Sequence, residues 1–374
     1  MNDILILRPG RSKLSYACFV AGNREPALTV SGIDCRSAQN DQAALKTILA
    51  EIRENFRKVA GVMPAAIGVR GTFGGTLFSQ PTRVNAKVIA NLKHLMPQAP
   101  LHLPPLVNLV EACTECFSGT PVVLVFETAF FVNLPAKEQL YALEPGLSAS
   151  LELRRFGYHG LFHEAACLWV VRERLAKGLE EPARILSVCL EPRPEITAVL
   201  GRRPLMVTSG ATPLEGLPGE TNCGEMDPGL LLLLAKQKNW GPEELNLLLT
   251  QKSGLLGLAG RPVTFAELFK SASPDLAEAR EIVLYHMLCA CGAGLAALGG
   301  LDEIVFCGRY AAAGETVGPW LADRLIQGTR NLVRPSEKPW RIFKDSLMRI
   351  VADATEAKDE KIKTAAKKKK ASGD

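Results

Sequence analysis

The sequence predicts an α/β fold in two domains. Three observations predict it. Short apolar runs alternate with helical stretches along most of the chain. At roughly 150 residues per domain, 374 residues fill two. A hairpin-like segment near residue 4 has a counterpart strand pair near residue 184, the mark of two related α/β halves. With 47% of residues apolar, a large core is available and disorder is excluded for most of the length.

In chain order, strands are expected over 4–7, 14–20, 65–70, 122–126, 184–190, 196–200, 304–307 and 340–343, each a short apolar run bounded by polar or glycine-containing turns. Helices are expected over 41–58, 86–96, 106–117, 160–177, 229–237, 241–252 and 275–298. The last shows apolar spacing of three to four through Ile282, Tyr285, Leu288 and Leu295. No tandem repeat is present. The opening run Met1–Leu7 is too short for a secretory leader and meets Arg8-Pro9-Gly10. No apolar run reaches the roughly 18–20 residues of a membrane helix, the longest lying near 230–235 and expected as a buried helix turn. A cytoplasmic protein is expected.

The ten cysteines are scattered and read as reduced core residues. Cys113 and Cys116 form a single CxxC without a second pair or nearby histidines, a weak metal or redox signal. Residues 356–374 hold seven Lys against two Glu and two Asp, which supplies +3 of the net +5. No aromatic residues interleave with the lysines, so a basic disordered tail over 357–374 is expected rather than a nucleic-acid site, and no membrane association is expected.

Three segments carry chemistry. ILILRPGRSKLSY at 4–16 has the strand–turn–strand form of a phosphate-gripping hairpin, yet it carries Arg8, Arg11 and Lys13 where such turns carry small residues. RRFGYHGLFHEA at 154–165 sets His159 between glycines, where backbone and ligand can approach closely. His163, four residues on, reads either as a packed helix histidine or as half of a metal pair. The third, TPLEGLPGETNCGEMDPG at 212–229, is a long polar loop with Glu215, Glu220, Glu225 and Asp227. Long ordered loops are often functional, and Asp227-Pro228 equally reads as a helix cap.

AIGVRGTFGG (66–75), APLHLPP (99–105), VFETAFFVNLP with YAL (125–143), RRFGYHG with His163, TPLEGL with DPG, KSGLLGLAG (252–260) and LDEIVFCG (301–308) together resemble the acetate kinase family, nearly end to end. The resemblance implies the two-domain actin-like, ribonuclease H-like ATPase fold. It places an N-terminal domain over 1–129 with about 345–356, and a C-terminal domain over 130–344 that carries the nucleotide side and the dimer surface. It implies transfer of the γ-phosphoryl of ATP to a small carboxylate such as acetate, with Mg2+ as the divalent metal, in a homodimer.

By resemblance, Arg70 holds the carboxylate or the phosphoryl group, His159 steadies the phosphoryl group, His102 retains the histidine of APLH, and Glu127 stands where the family has an Asp. Arg8, Arg11, Lys13 and Ser15 match the family's phosphate and metal contacts in the first hairpin. Gly308 remains of a glycine loop now continued by Arg309-Tyr310-Ala311. The other nucleotide loop reads Cys189-Leu190-Glu191-Pro192-Arg193, so Arg193 replaces a glycine. Asn222 stands for a second arginine, Thr264 and Ala266 stand for adenosine contacts, and Asp345 stands for one member of a metal-binding acidic pair.

Backbone cradling of phosphate needs free N–H donors and glycine's close approach, which Pro192 and Ala311 reduce. The added cations therefore either pair with Glu127, Glu191 or Glu225 or hold a different anion. Two functions follow: a divergent carboxylate kinase, or a catalytically silent paralogue that binds or regulates.

Overall fold

The computed structural model describes residues 3–325 and the backbone of 333–335, apart from positions 11, 24, 39–40, 180 and 271–272. The described residues fall into two compact units, one ending at Ala129 and the other beginning at Phe130.

In the first unit the strands are β1 (Ile4–Pro9), β2 (Lys13–Phe19), β3 (Leu28–Asp34), β4 (Ala66–Gly71), β5 (Thr82–Arg83) and β6 (Val122–Phe126), in sheet order β3-β2-β1-β4-β6-β5. β1 and β2 are antiparallel with Arg8 opposite Ser15, whereas β4 runs parallel to β1 and β6 parallel to β4. Helix α1 (Gln42–Ala60) forms because Asp41 accepts from the N–H groups of Ala43 and Ala44, and it stops at the left-handed Gly61. Its buried face, Leu45, Leu49, Ile52 and Phe56, follows helical spacing. α2 (Ala86–Leu95) and α3 (Leu103–Cys116) complete the unit.

The second unit has β7 (Arg184–Cys189), β8 (Glu195–Leu200), β9 (Arg203–Val207), β10 (Glu303–Cys307) and β11 (Val333–Pro335), in order β11-β10-β7-β8-β9. β7-β8-β9 is an antiparallel meander, and β10 and β11 join in parallel. The first unit repeats that pattern as β1-β2-β3 followed by β4 and β6, so the two halves are topologically alike, as the paired strand signals implied.

The helices of the second unit are α4 (Ala136–Gln139), α5 (Pro145–Ser150), α6 (Gly160–Ala176), α7 (Pro228–Lys238), α8 (Pro242–Gln251), α9 (Gly254–Ala259), α10 (Phe265–Lys270), α11 (Ala277–Leu298) and α12 (Gly314–Leu325). Its core joins Leu186 and Val188 of β7, Ile196 of β8, Ile304 and Phe306 of β10, Phe265 of α10 and Met287 of α11.

Two sequence expectations are corrected. The leucines of α7 are not a buried turn: no residue of this helix is buried, and Leu232 is 75% exposed. The segment Pro274–Leu298 is long and apolar enough to cross a membrane by length and composition, because the acidic and basic residues of the region gather before Ile282. Only 22% of its apolar window is buried within the chain. The strands β3, β5, β9 and β11 and the helices α4, α5, α9, α10 and α12 were not expected. Most are short or, like β3, largely solvent-facing, so their hydropathy pattern is weak, and α12 carries Pro319 inside the helix, which reads as a breaker. The strand expected at 340–343, the return of 345–356, Asp345 and the basic tail lie outside the described residues.

Phe126 ends β6 and packs its ring over Gly71 and Gly74, stacked on Phe78 at 4.9 Å. It fills the space that side chains at those glycines would need. Phe126→Ala is expected to destabilise the first unit by about 3–5 kcal/mol, and Gly74→Ala, whose Cβ would meet the ring at 2.7 Å, by about 1–3 kcal/mol. Urea unfolding followed by circular dichroism measures both.

Candidate functional site

In the first unit the site grows from two strand ends. The parallel register sets Arg70 opposite Val125 and Gly71 opposite Phe126. The residue that follows β6, Glu127, is thereby carried next to Arg70. The guanidinium Nε–H donates to Glu127 Oε1 in a close ion pair, with Glu127 fully buried and Arg70 24% exposed. Thr128, also fully buried, accepts the Gly74 N–H at 2.9 Å and pins the turn. The sequence placed Arg70 and Glu127 in one site, and the structure joins them directly. The buried carboxylate fixes the guanidinium, which keeps its outer face towards solvent.

Ser15 Oγ accepts the Gly32 N–H at 3.2 Å, so part of its hydrogen-bonding capacity serves the β2–β3 pair. Arg8 is half-buried opposite it. His102 is the N-cap of α3 without a side-chain cap bond. Arg11 is outside the described residues. Cys113 is buried, which pushes its thiol up to about 12, and Cys116 Sγ donates to the Lys46 carbonyl. Among the described residues no group of three or more His, Cys, Asp or Glu is arranged to hold a metal ion.

In the second unit the ends of β7 and β10, paired through Cys189 and Cys307, launch two loops side by side. Backbone bonds lace them together: Leu190 N–H to the Cys307 carbonyl at 2.9 Å and Tyr310 N–H to the Leu190 carbonyl at 2.9 Å. Gly308 has φ +87°, and a Cβ there would lie 2.7 Å from the Leu190 carbonyl oxygen. Glycine is therefore required by the fold at this point. The next N–H, of Arg309, donates to Glu191 Oε1 at 2.7 Å, and the Arg309 guanidinium lies 3.7 Å from Glu191 Oε2. A carboxylate from one loop thus occupies a backbone donor of the other. Of the cation–carboxylate pairings anticipated, Arg309 with Glu191 is present. Glu127 pairs with Arg70.

His159 is the N-cap of α6. Its N–H donates to Glu195 Oε1 at 3.0 Å, its ring Nε2 lies 2.9 Å from the Arg193 carbonyl, and its Nδ1 is buried without a protein partner. Arg193 therefore enters the site through its backbone. His163 is the packed helix histidine: fully buried, with Nδ1 2.8 Å from Ser187 Oγ and Nε2 3.2 Å from Glu195 Oε1. The residue that sequence reasoning missed is Glu195. A charged residue opening the apolar run EITAVL was the available signal. Burial pushes its carboxyl up, but the hydrogen bonds from His163 and Ser209 and the favourable electrostatics of the two imidazoles outweigh that, holding it at about 2.

Other residues singled out in the sequence lie as follows. Thr264 Oγ1 accepts the Glu267 N–H at 3.2 Å at the start of α10, where Ala266 follows. Asn222 is 2% exposed, and its Oδ1 has no protein partner. Asp227 accepts the Gly229 N–H as N-cap of α7, with Pro228 first in the helix. Glu215 binds Tyr141 and Arg155, and Glu220 accepts the Phe265 N–H at 3.3 Å.

Two outcomes follow. Arg70→Ala, which strips the buried Glu127 of its cation, is expected to cost about 3–5 kcal/mol, read as a lower urea midpoint. For Glu195 the folded-state pKa lies below that of an unfolded carboxyl, roughly 4.3. Its stabilisation is therefore present above that value and is lost as pH falls towards 2. Urea midpoints between pH 6 and 2.5 should fall more steeply for the wild type than for Glu195→Gln.

Comparison with known proteins agrees with this architecture. The Acetokinase family model matches residues 24–318. The acetate kinase of Heliobacterium modesticaldum is 32% identical over 330 residues, covering 81% of this chain and 82% of that protein. The acetate kinase of Clavibacter sepedonicus is 37% identical over 269 residues, covering 71% and 66%. Among solved structures, Porphyromonas gingivalis acetate kinase superposes with a TM-score of 0.75 at 24% identity, covering 94% of this chain and all of that one. A Francisella tularensis propionate kinase superposes at 0.73, also at 24% identity, covering 87% and 89%. The fold is that of these kinases, the actin-like α/β fold, and the chain belongs to the acetokinase family.

Proposed function

We propose that this chain is an acetate kinase-type phosphotransferase, acting on ATP and a small carboxylate such as acetate. The observation that carries the reading is the Arg70 guanidinium, held in one orientation by the buried Glu127 carboxylate. In the reaction a carboxylate oxygen bonds to the γ-phosphorus while the bond from that phosphorus to the β,γ-bridging oxygen breaks. The electron pair leaves on ADP. The nucleophile is already an anion, so no proton must be removed. Glu127 therefore serves to fix Arg70 and not as a base, and Arg70 and His159 neutralise or orient charge on the acid or the phosphoryl group. Family resemblance adds Mg2+, which would counter the charge of the phosphates. The described residues do not form a cage for it, and the chain's own part is confined to Arg70, Glu127 and His159. The uncovered leucines of α7 support a second copy of the chain as partner.

A second reading, a silent paralogue that binds or regulates, is favoured by Glu191 on the Arg309 N–H. In that arrangement the loop after β10 does not fit a nucleotide phosphate until Glu191 withdraws.

A hydroxamate assay with ATP, Mg2+ and acetate separates the two. Acyl phosphate formation is expected, falling about 10²–10³-fold in Arg70→Ala and in His159→Ala. No product above background, together with no Mg2+-dependent ATP binding by calorimetry at micromolar concentrations, would leave the silent reading.

A further inference from the structure

One buried charge, Glu195, stands outside the phosphoryl chemistry proposed above. Glu195 is the first residue of β8, directly after Pro192-Arg193-Pro194, and it is fully buried. Its Oε2 accepts the Tyr158 N–H at 2.8 Å, and its Oε1 accepts the His159 N–H at 3.0 Å. The same Oε1 lies 3.2 Å from His163 Nε2, and His163 Nδ1 is 2.8 Å from Ser187 Oγ on β7. One carboxylate therefore collects the two backbone donors just ahead of α6 and the side chain one turn into it. A negative charge at this end of a 17-residue helix is favoured by the free N–H groups there. Removing a buried acceptor of this kind would leave several donors unsatisfied at once.

The second restraint comes from the loop that leads into Glu195. The Arg193 carbonyl, two residues before it, meets His159 Nε2 at 2.9 Å. A carbonyl oxygen only accepts, so Nε2 carries the proton, and in the neutral ring Nδ1 keeps its lone pair. His159 is thus gripped twice by one short segment: at its backbone by the Glu195 carboxylate and at its ring by the Arg193 carbonyl. Pro192 and Pro194 stiffen that segment.

We infer that Glu195 is the positioning residue for His159: its carboxylate anchors the Tyr158–His159 backbone, so that the Arg193 carbonyl selects a single ring tautomer in which the buried Nδ1 keeps its lone pair free of protein partners. The relation to function rests on the phosphoryl role proposed for His159, but the geometry itself is testable without turnover. Glu195 acts through His159 and is not assigned contact with substrate.

The experiment is nuclear magnetic resonance on the full chain, with nitrogen-labelled histidine. There are five histidines, and His159→Ala assigns the signal in question. In the wild type His159 is expected as the Nε2–H tautomer, and His163 with its Nε2 proton facing the carboxylate. In Glu195→Gln the His159 ring is expected to average between tautomers, and exchange of the Tyr158 and His159 amides to speed up by at least about tenfold. That is the loss of one net hydrogen bond. Amides of β7 and β10 should keep their wild-type rates. Glu195→Asp, which retains the charge one methylene shorter, should restore part of the protection.

A wild-type His159 found in the Nδ1–H form, or already averaging, overturns the inference even if no variant folds. So does a Glu195→Gln protein with wild-type tautomer and exchange rates. Titration with inorganic phosphate gives the separate readout. A shift of the His159 ring in the wild type supports the phosphoryl role. No shift there, with the exchange result intact, removes that role and leaves Glu195 as the anchor of His159.

Discussion

The organisation of this protein depends on strand register. In each unit two neighbouring parallel strands end in step, β4 with β6 and β7 with β10. Whatever residues follow those strands are brought side by side without further design. In the first unit this makes the Arg70–Glu127 pair, and in the second it laces residues 190–191 to 308–310. Sites outside the carboxyl ends of strands in open α/β sheets arise by this same constraint. The hydrogen-bonded sheet sets the separation of the loops, and the loop residues decide only what is offered there.

At the strand ends of the second unit a side-chain carboxylate and a guanidinium lie beside the backbone. Where a glycine loop would present free N–H groups, the chain sets Glu191 on the Arg309 N–H and a guanidinium nearby. Because Arg309 is 56% exposed, the ion pair contributes little by itself. The hydrogen bond to the backbone N–H is the stronger element, since it satisfies a donor that would otherwise need water or a ligand. The first unit shows the opposite balance. There Glu127 is fully buried, and its guanidinium partner cannot be removed without leaving that charge in a poor medium.

Much of this was legible in the sequence, for stated physical reasons. The helix expected over 41–58 forms over 42–60, where the Asp41 cap, the left-handed Gly61 and four buried apolar positions all agree. The strands of both sheet centres, such as Val122–Phe126, were visible because every residue in them is buried. β3 was not, because it is an edge strand with mostly solvent-facing residues. The motifs set Arg70 and Glu127 in one site and the register joins them, whereas the partners of His159 were not legible. Nothing in the spacing of Arg193, Glu195, His159 and His163 reveals that they converge. Their meeting is set by the β7–β8 turn packing against the start of α6, a long-range contact that no local pattern encodes. The exposed leucines of α7 misled for the same reason: hydropathy reports a wish for burial, not its fulfilment.

The single proton held between His159 Nε2 and the Arg193 carbonyl has a chemical corollary. A neutral imidazole in that tautomer offers a lone pair at Nδ1, which welcomes a hydroxyl or a monoprotonated phosphate and repels a fully ionised oxygen. Acceptance of a dianion there requires a second proton on the ring. The protonation state of the ligand would then discriminate between phosphate species of identical shape.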